Sequence, residues 1–339
     1  MANIMINEVC NLRCPYCFAD EFVNKNPKEM SMKDFDTALN FALSSGYDER
    51  IGLIGGEPTL HSHFKEILIK LINDNRVKNV TIFTNGVKIN EYLNEICHPK
   101  IHLLINCNSP ENMGIKAYET MVTNIKEMIA NRYYREKITL GINMYKPDFD
   151  YEYILELLKQ FDLKSVRTSI SVPNDLTYLA NPLNYFNIMK PHVLEFFSKL
   201  KEANIIPFFD CNAMPVCIWS EDERNRILQD FPEVKNKTNI FNTYVSCSPI
   251  IDILPDLTII RCFGLSEHTK KKLSDFKNIE EARNYYARTI DSFACNSCHS
   301  KECFSCYERE IGRCNGGCLC FKINDIKKIN SYCNSLYKE

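Results

Sequence analysis

The chain has 339 residues, 45% of them hydrophobic, enough for one large domain or two to three modest ones. Its formal net charge is −2 with acids and bases interspersed, which gives no basic footprint for nucleic acid. No apolar run approaches the length of a membrane span and the N-terminus carries no secretory pattern, so a cytoplasmic protein without a membrane partner is expected.

The N-terminal half alternates strand-like and helix-like stretches. Short runs rich in β-branched residues predict strands over 3–9, 50–54, 79–84, 101–106, 138–143 and 166–171, as buried parallel strands require. Helical patterns fall between them over 31–45, 61–74, 88–96, 115–131 and 150–161, with Ser31 as the first helix start and His61 and His63 in a helix N-terminal turn. Six β-α repeats read as an α/β fold, a partial (β/α)6 TIM-like barrel whose site lies at the C-terminal strand ends. Past 185 the pattern changes to a helix over 185–204, a short strand over 205–209 and a hairpin of 250–254 with 257–261 turning at Pro255-Asp256.

Twelve of the 17 cysteines follow residue 210. A disulfide framework is not expected in a long chain of cytoplasmic character. The asymmetry predicts a core domain over 1–205 and a metal-dependent, cysteine-rich domain over 206–339.

Three of the five remaining cysteines stand as Cys10-x3-Cys14-x2-Cys17, directly after the first strand. A cubane [4Fe–4S] cluster has four irons, each normally taking one thiolate, so three thiolates leave one iron open. A structural zinc site wants four closed ligands. Gly55-Gly56-Glu57-Pro58 follows the second strand, where two glycines admit close backbone approach and a carboxylate can pair with an ammonium group. Thr84-Asn85, Asn106 with Asn108, and Asn143 end the third, fourth and fifth strands, facing one barrel mouth. Cys97 and Cys107 read as small buried hydrophobes, although Cys107 lies near that mouth.

The cysteine spacing, with Tyr16 as the aromatic before the third cysteine, resembles the radical S-adenosylmethionine (SAM) enzymes. The resemblance implies that Cys10, Cys14 and Cys17 hold a [4Fe–4S] cluster whose open iron binds SAM. It implies that the cluster's electron cleaves SAM to a 5′-deoxyadenosyl radical. It places Tyr16, Gly55, Gly56, Glu57 and Pro58 against SAM, with Thr84, Asn85, Asn106, Asn108 and Asn143 toward its carboxylate and ribose. The family usually has Ser and Asp where Asn106 and Asn108 stand here, and ordinary turn asparagines are the other reading.

The C-terminal half resembles the SPASM extension of these enzymes, which implies one or two auxiliary [4Fe–4S] clusters. One cluster would use Cys247, Cys262, Cys318 and either Cys217 or Cys211; the other would use Cys303, Cys306, Cys314 and Cys333. Two departures stand out: the glycine expected five residues before Cys262 is Leu257, and seven residues rather than five separate Cys306 from Cys314. Cys295-x2-Cys298-x4-Cys303-x2-Cys306 is also a credible site for zinc or iron. Cys320 is left over as a hydrogen-atom donor or substrate-facing thiol.

Such extensions are typical of enzymes that modify peptides. The resemblance therefore implies a maturase acting on a peptide or protein substrate, with a thioether or carbon–carbon cross-link favoured, and a reducing partner such as flavodoxin or ferredoxin. Formylglycine formation on a sulfatase and peptide epimerisation are the rival activities; a non-catalytic iron–sulfur electron carrier is the rival of another class. The first cluster cysteine is residue 10, so leader recognition is expected from a separate protein, unless the substrate lacks a leader.

Overall fold

The computed structural model describes residues 2–45, 50–130, 135–172, 181–209, 214–233, 250–292, 301–311, 314 and 318–320. Cys211, Cys247, Cys295, Cys298 and Cys333 lie outside the described residues. Among the described residues the strands are β1 (Ala2–Met5), β2 (Arg50–Ile54), β3 (Asn79–Thr84), β4 (Ile101–Asn106), β5 (Ile138–Met144), β6 (Ser165–Ile170), β7 (Ile206–Phe209), β8 (Ile251–Ile253), β9 (Thr258–Ile260) and β10 (Lys271–Lys272). The longer helices are α1 (Met32–Ala42), α2 (Phe64–Asn73), α3 (Ile115–Ala130), α4 (Glu152–Gln160), α5 (Pro182–Glu202), α6 (Glu221–Asp230) and α7 (Ile279–Tyr286).

The chain divides into two compact units. The first comprises Met1–Ile142, Glu152–Leu163 and Pro249–Tyr286; the second comprises Asn143–Tyr151, Lys164–Ser248 and Ala287–Glu339. In the first, β1 to β5 pair in chain order and all in parallel, with helices between them. This is the α/β architecture that the sequence predicts. Helices are laid down as the local chemistry dictates: the Ser31 side chain accepts from Asp34 N at 3.1 Å and caps α1.

The pleat separates two faces. Ile4, Ile51, Leu53, Val80, Ile82, Leu103, Ile105 and Leu140 are buried on one. On the other, Asn3, Gly52, Thr81 and His102 stand side by side in register. A Cβ at Gly52 would strike the Asn3 side chain, so glycine makes room for a polar wall there. Above that wall Met5, Ile54, Leu254, Ile260 and Ala19 form a small apolar core, with Cys17, Phe22, Phe83 and Phe263 packed against it.

β1 is shorter than the sequence predicts. Past Met5 the chain bonds both to the end of β2 (Ile6 N to Ile54 O, 2.9 Å) and to residues 28–30 (Met30 N to Ile6 O, 2.7 Å), so extended pairing continues without a regular ladder. The stretch 88–96 breaks into a 3-10 turn (Ile89–Tyr92) and one α turn (Leu93–Ile96). On its other edge β1 pairs in parallel with β8, which forms an antiparallel hairpin with β9.

In the second unit β6 pairs in parallel with β7. Phe197 of α5 centres an aromatic cluster with Phe209, Trp219 and Phe231. The Ser220–Glu223 capping box starts α6.

Candidate active site

Residues 7–24 form a loop over the C-terminal ends of β1 to β4, and backbone bonds fix its start. Gly56 N donates to Asn7 O at 2.9 Å and Glu57 N donates to Val9 O at 2.7 Å, so the turn after β2 zips onto the strand that leads to Cys10. Gly56 is glycine for this reason. A Cβ there would come within 2.6 Å of the Val9 carbonyl carbon and 3.0 Å of Cys10 N. The loop then folds back so that Asn24, at a left-handed φ of 59°, brackets Cys10: its Oδ1 accepts from Cys10 N at 3.0 Å and its Nδ2 donates to Cys10 O at 3.1 Å. Asparagine is among the few residues that tolerate this backbone region.

Glu57 is wholly buried, and its carboxylate is fully engaged. Oε1 accepts from Thr59 N at 3.2 Å, Thr59 Oγ1 at 2.7 Å and Thr84 Oγ1 at 2.7 Å, while Oε2 accepts from Asn85 N at 2.7 Å. Burial raises its pKa above the usual carboxylate value, against the opposing effect of these donors. Glu57 thus braces the end of β2 to the end of β3. Asn85 extends the brace to the loop through Nδ2 and Asn11 Oδ1 at 2.8 Å. The end of β4 makes a second tie: Asn108 donates from Nδ2 to Cys14 Sγ at 3.3 Å and accepts at Oδ1 from the Tyr16 hydroxyl.

Cys10, Cys14 and Cys17 are each partly exposed. Burial pushes the Cys10 thiol up to about 12 and the Cys14 thiol up to about 11, and it raises Cys17 too; neighbouring thiols and Glu57 add to the shifts of the first two. Such thiols stay protonated until a metal displaces the proton. Among the described residues no three Cys, His, Asp or Glu side chains converge tightly enough for a single metal ion. A cubane does not ask for that, because it spreads its thiolates over separate irons. Three thiols on one loop, each able to take its own iron, fit a cluster with one iron left open.

Of the remaining expected residues, Pro58 opens a buried 3-10 turn and Asn106 ends β4 half-buried. Asn143, in the second unit, accepts from Arg167 Nη1 at 2.9 Å. Cys107 is buried, Cys97 is half-buried, and His61 packs before α2. In the second unit burial pushes Cys217 up to about 12, with the thiols of Cys314, Cys306 and Cys303 adding to the shift, so these four share one neighbourhood. The resemblance implies Cys217 or Cys211 as the partner of Cys247, Cys262 and Cys318; of these, Cys262 belongs to the first unit and follows β9, and Cys211 and Cys247 lie outside the described residues. Cys318 is half-buried and Cys320 is buried. Sequence reasoning passes over Asn7, Asn11 and Asn24, whose partners are loop backbone or distant side chains. Their only local signal is their density beside the cysteines.

Residues 4–131 match the model of the radical SAM superfamily, and this stretch is a radical SAM domain. Such domains bind a [4Fe–4S] cluster and SAM. A mitochondrial GTP 3′,8-cyclase of Arabidopsis thaliana is 36% identical over 88 residues, which is 25% of this chain and only 22% of the cyclase. An uncharacterised protein of Methanocaldococcus jannaschii is 26% identical over 216 residues, covering 61% of this chain and 72% of that protein. The crystal structure of Streptococcus suis SuiB bound to SAM superposes with a TM-score of 0.60 at 18% identity, covering 94% of this chain and 72% of SuiB. SuiB bound to its precursor peptide SuiA gives the same score at 17% identity, covering 94% of this chain and 71% of SuiB. That likeness is one of fold.

Proposed function

We propose that this protein is a radical SAM enzyme that modifies a peptide or protein. The observation that carries the reading is the zipping of Gly55-Gly56-Glu57 onto the strand leading to Cys10, which joins the two family motifs in one structure. When bound, the cluster and SAM supply a 5′-deoxyadenosyl radical that takes a hydrogen atom from substrate. Cys10, Cys14 and Cys17 hold the cluster. The Gly55-Gly56 backbone lies beside it to meet the SAM amino group, Glu57 keeps that turn in place, and Tyr16 and Asn85 flank the space for the rest of SAM.

The peptide substrate is supported by the SuiB fold, since that protein is crystallised with a precursor peptide. Cross-linking through a thioether or carbon–carbon bond is the favoured outcome. Cys217, Cys303, Cys306 and Cys314 are the described residues best gathered for an auxiliary [4Fe–4S] cluster. Cys262, with Asp252 and Arg261 beside it, is the candidate ligand of a second. A low-potential donor such as flavodoxin or ferredoxin supplies the electron.

The test is anaerobic reconstitution with iron and sulfide, reduction in the presence of SAM, and assay of 5′-deoxyadenosine with iron counted in parallel. Product that disappears in Cys14→Ala is expected. About eight to twelve irons per chain, at four per cluster, correspond to one or two auxiliary clusters. Absence of SAM binding by the cluster-loaded protein defeats the enzyme reading and leaves an electron carrier.

A further inference from the structure

The three thiols of the loop are not served alike. Cys10 Sγ accepts from the backbone N–H of Leu12 at 3.4 Å, and Cys17 is bonded by the backbone of Ala19. Both donors lie two residues beyond their cysteine and come with the loop itself. Cys14 draws on the far side of the site: Asn108 Nδ2, 94 residues away in sequence, donates to its sulfur at 3.3 Å. Asn108 is 2% exposed, so water does not compete for this bond. Its orientation is set from the other end, because the Tyr16 hydroxyl donates to Oδ1 and thereby turns the NH2 group toward the sulfur.

An N–H bond to a cluster thiolate withdraws electron density from sulfur, and it strengthens as the cluster gains an electron. Such bonds are among the levers that set an iron–sulfur potential. We infer that Asn108, held by Tyr16, is a potential-setting residue that acts through Cys14 to make the cluster easier to reduce. This rests on the cluster reading above and gives Asn108 a role distinct from contact with the SAM ribose. It also accounts for an amide at this position: the carboxylate of an Asp has no hydrogen to give to the sulfur and would place a charge beside it.

The test is an EPR-monitored redox titration of the anaerobically reconstituted full chain. The SAM-binding cluster is identified by the change in its reduced spectrum when SAM is added. Asn108→Ala is expected to lower its midpoint, shifting the one-electron equilibrium about three- to tenfold toward the oxidised form, or roughly 30–60 mV on a scale of about 59 mV per tenfold. Asn108→Asp, equal in size, should lower it further. Tyr16→Phe, which leaves the amide but frees its rotation, should lower it by less. Iron content is measured for each, and Asn108→Asp carries the test where the Ala variant loses its cluster. Asn108 variants that keep the cluster at the wild-type potential overturn the inference, even if they weaken SAM binding. Wild-type protein that assembles no SAM-responsive cluster overturns the proposed function, and the inference with it.

Discussion

Glu57 sits at the candidate site with its carboxylate already engaged by the protein itself. The motif suggests a carboxylate that meets an ammonium group, yet both oxygens are spent on Thr59, Thr84 and Asn85. Replacing one oxygen by NH2 turns a donor against a donor, whichever way the amide is set. Glu57→Gln is therefore expected to lower stability by about 1–3 kcal/mol, the cost of an unsatisfied buried group, measured by denaturant midpoint on the metal-free protein. An unchanged midpoint with weakened SAM binding would instead make Glu57 a direct ligand. His61 gives a pH dependence. Its Nε2 donates to Met30 O at 2.9 Å and its Nδ1 accepts from His63 N at 3.0 Å, a neutral ring with no room for a second proton. Burial accordingly lowers its pKa, and the stability it contributes is present above the ordinary histidine value and is lost as pH falls through the folded one. Between about pH 7.5 and about pH 5.5 the wild-type melting temperature should fall toward that of His61→Gln. A constant gap between the two would show that His61 does not titrate in this range. At this scale the sequence is legible where chemistry is local, as in the three cysteines and the two glycines. It is silent on Asn24 and on the Asn108–Cys14 bond, which exist only because the chain returns to the loop.

Among the elements, the β8–β9 hairpin holds a backbone that its sequence resists. Leu257 N bonds to Leu254 O at 3.0 Å, closing a turn with Pro255 second, and Leu257 then takes a φ of 59°. A turn followed by one left-handed residue is a common three-residue hairpin loop, and glycine is its usual last member. The extension that this stretch resembles has glycine at this position, and here a leucine takes the left-handed backbone. Left-handed backbone costs an ordinary residue about 1–2 kcal/mol. Leu257→Asn, a residue that adopts this region more readily, should raise stability by up to about 1 kcal/mol, whereas Leu257→Val should lower it. Equal thermal midpoints for the three proteins would mean that Leu257 is not strained. The helices and strands themselves were readable because period and capping agree with the tertiary outcome, as at Ser31. The stretch 88–96 carries a helical apolar spacing in Ile89, Tyr92, Leu93 and Ile96, yet divides into a 3-10 turn and a single α turn, a break that the spacing does not signal.

At the scale of the whole chain, composition marks where cysteines gather but not where strands pair. Asn3 stands opposite Gly52 on one side and Asp252 on the other, so the N-terminal strand is built in from segments about 50 and 250 residues away. The pairing is specific: Asn3 Nδ2 donates to Asp252 Oδ1 at 2.7 Å, and the space for the Asn3 side chain comes from Gly52. Residues 249–286 accordingly group with the N-terminal residues, although the cysteine count assigns them to the later half. Without β8, β1 would be an open edge whose N–H and C=O groups lack partners, next to the loop that carries the three thiols. Native-state hydrogen exchange on the full chain tests this directly. Amides of β8 should share the protection of β1 and β2 and open with them as one set, while β6 and β7 define their own. An Asn3→Ala substitution, which removes one of the donors to the buried Asp252, should speed exchange in β8 and β1 together. Faster exchange confined to β8 would mean that the hairpin only rests against the edge, and that the cluster loop does not depend on it.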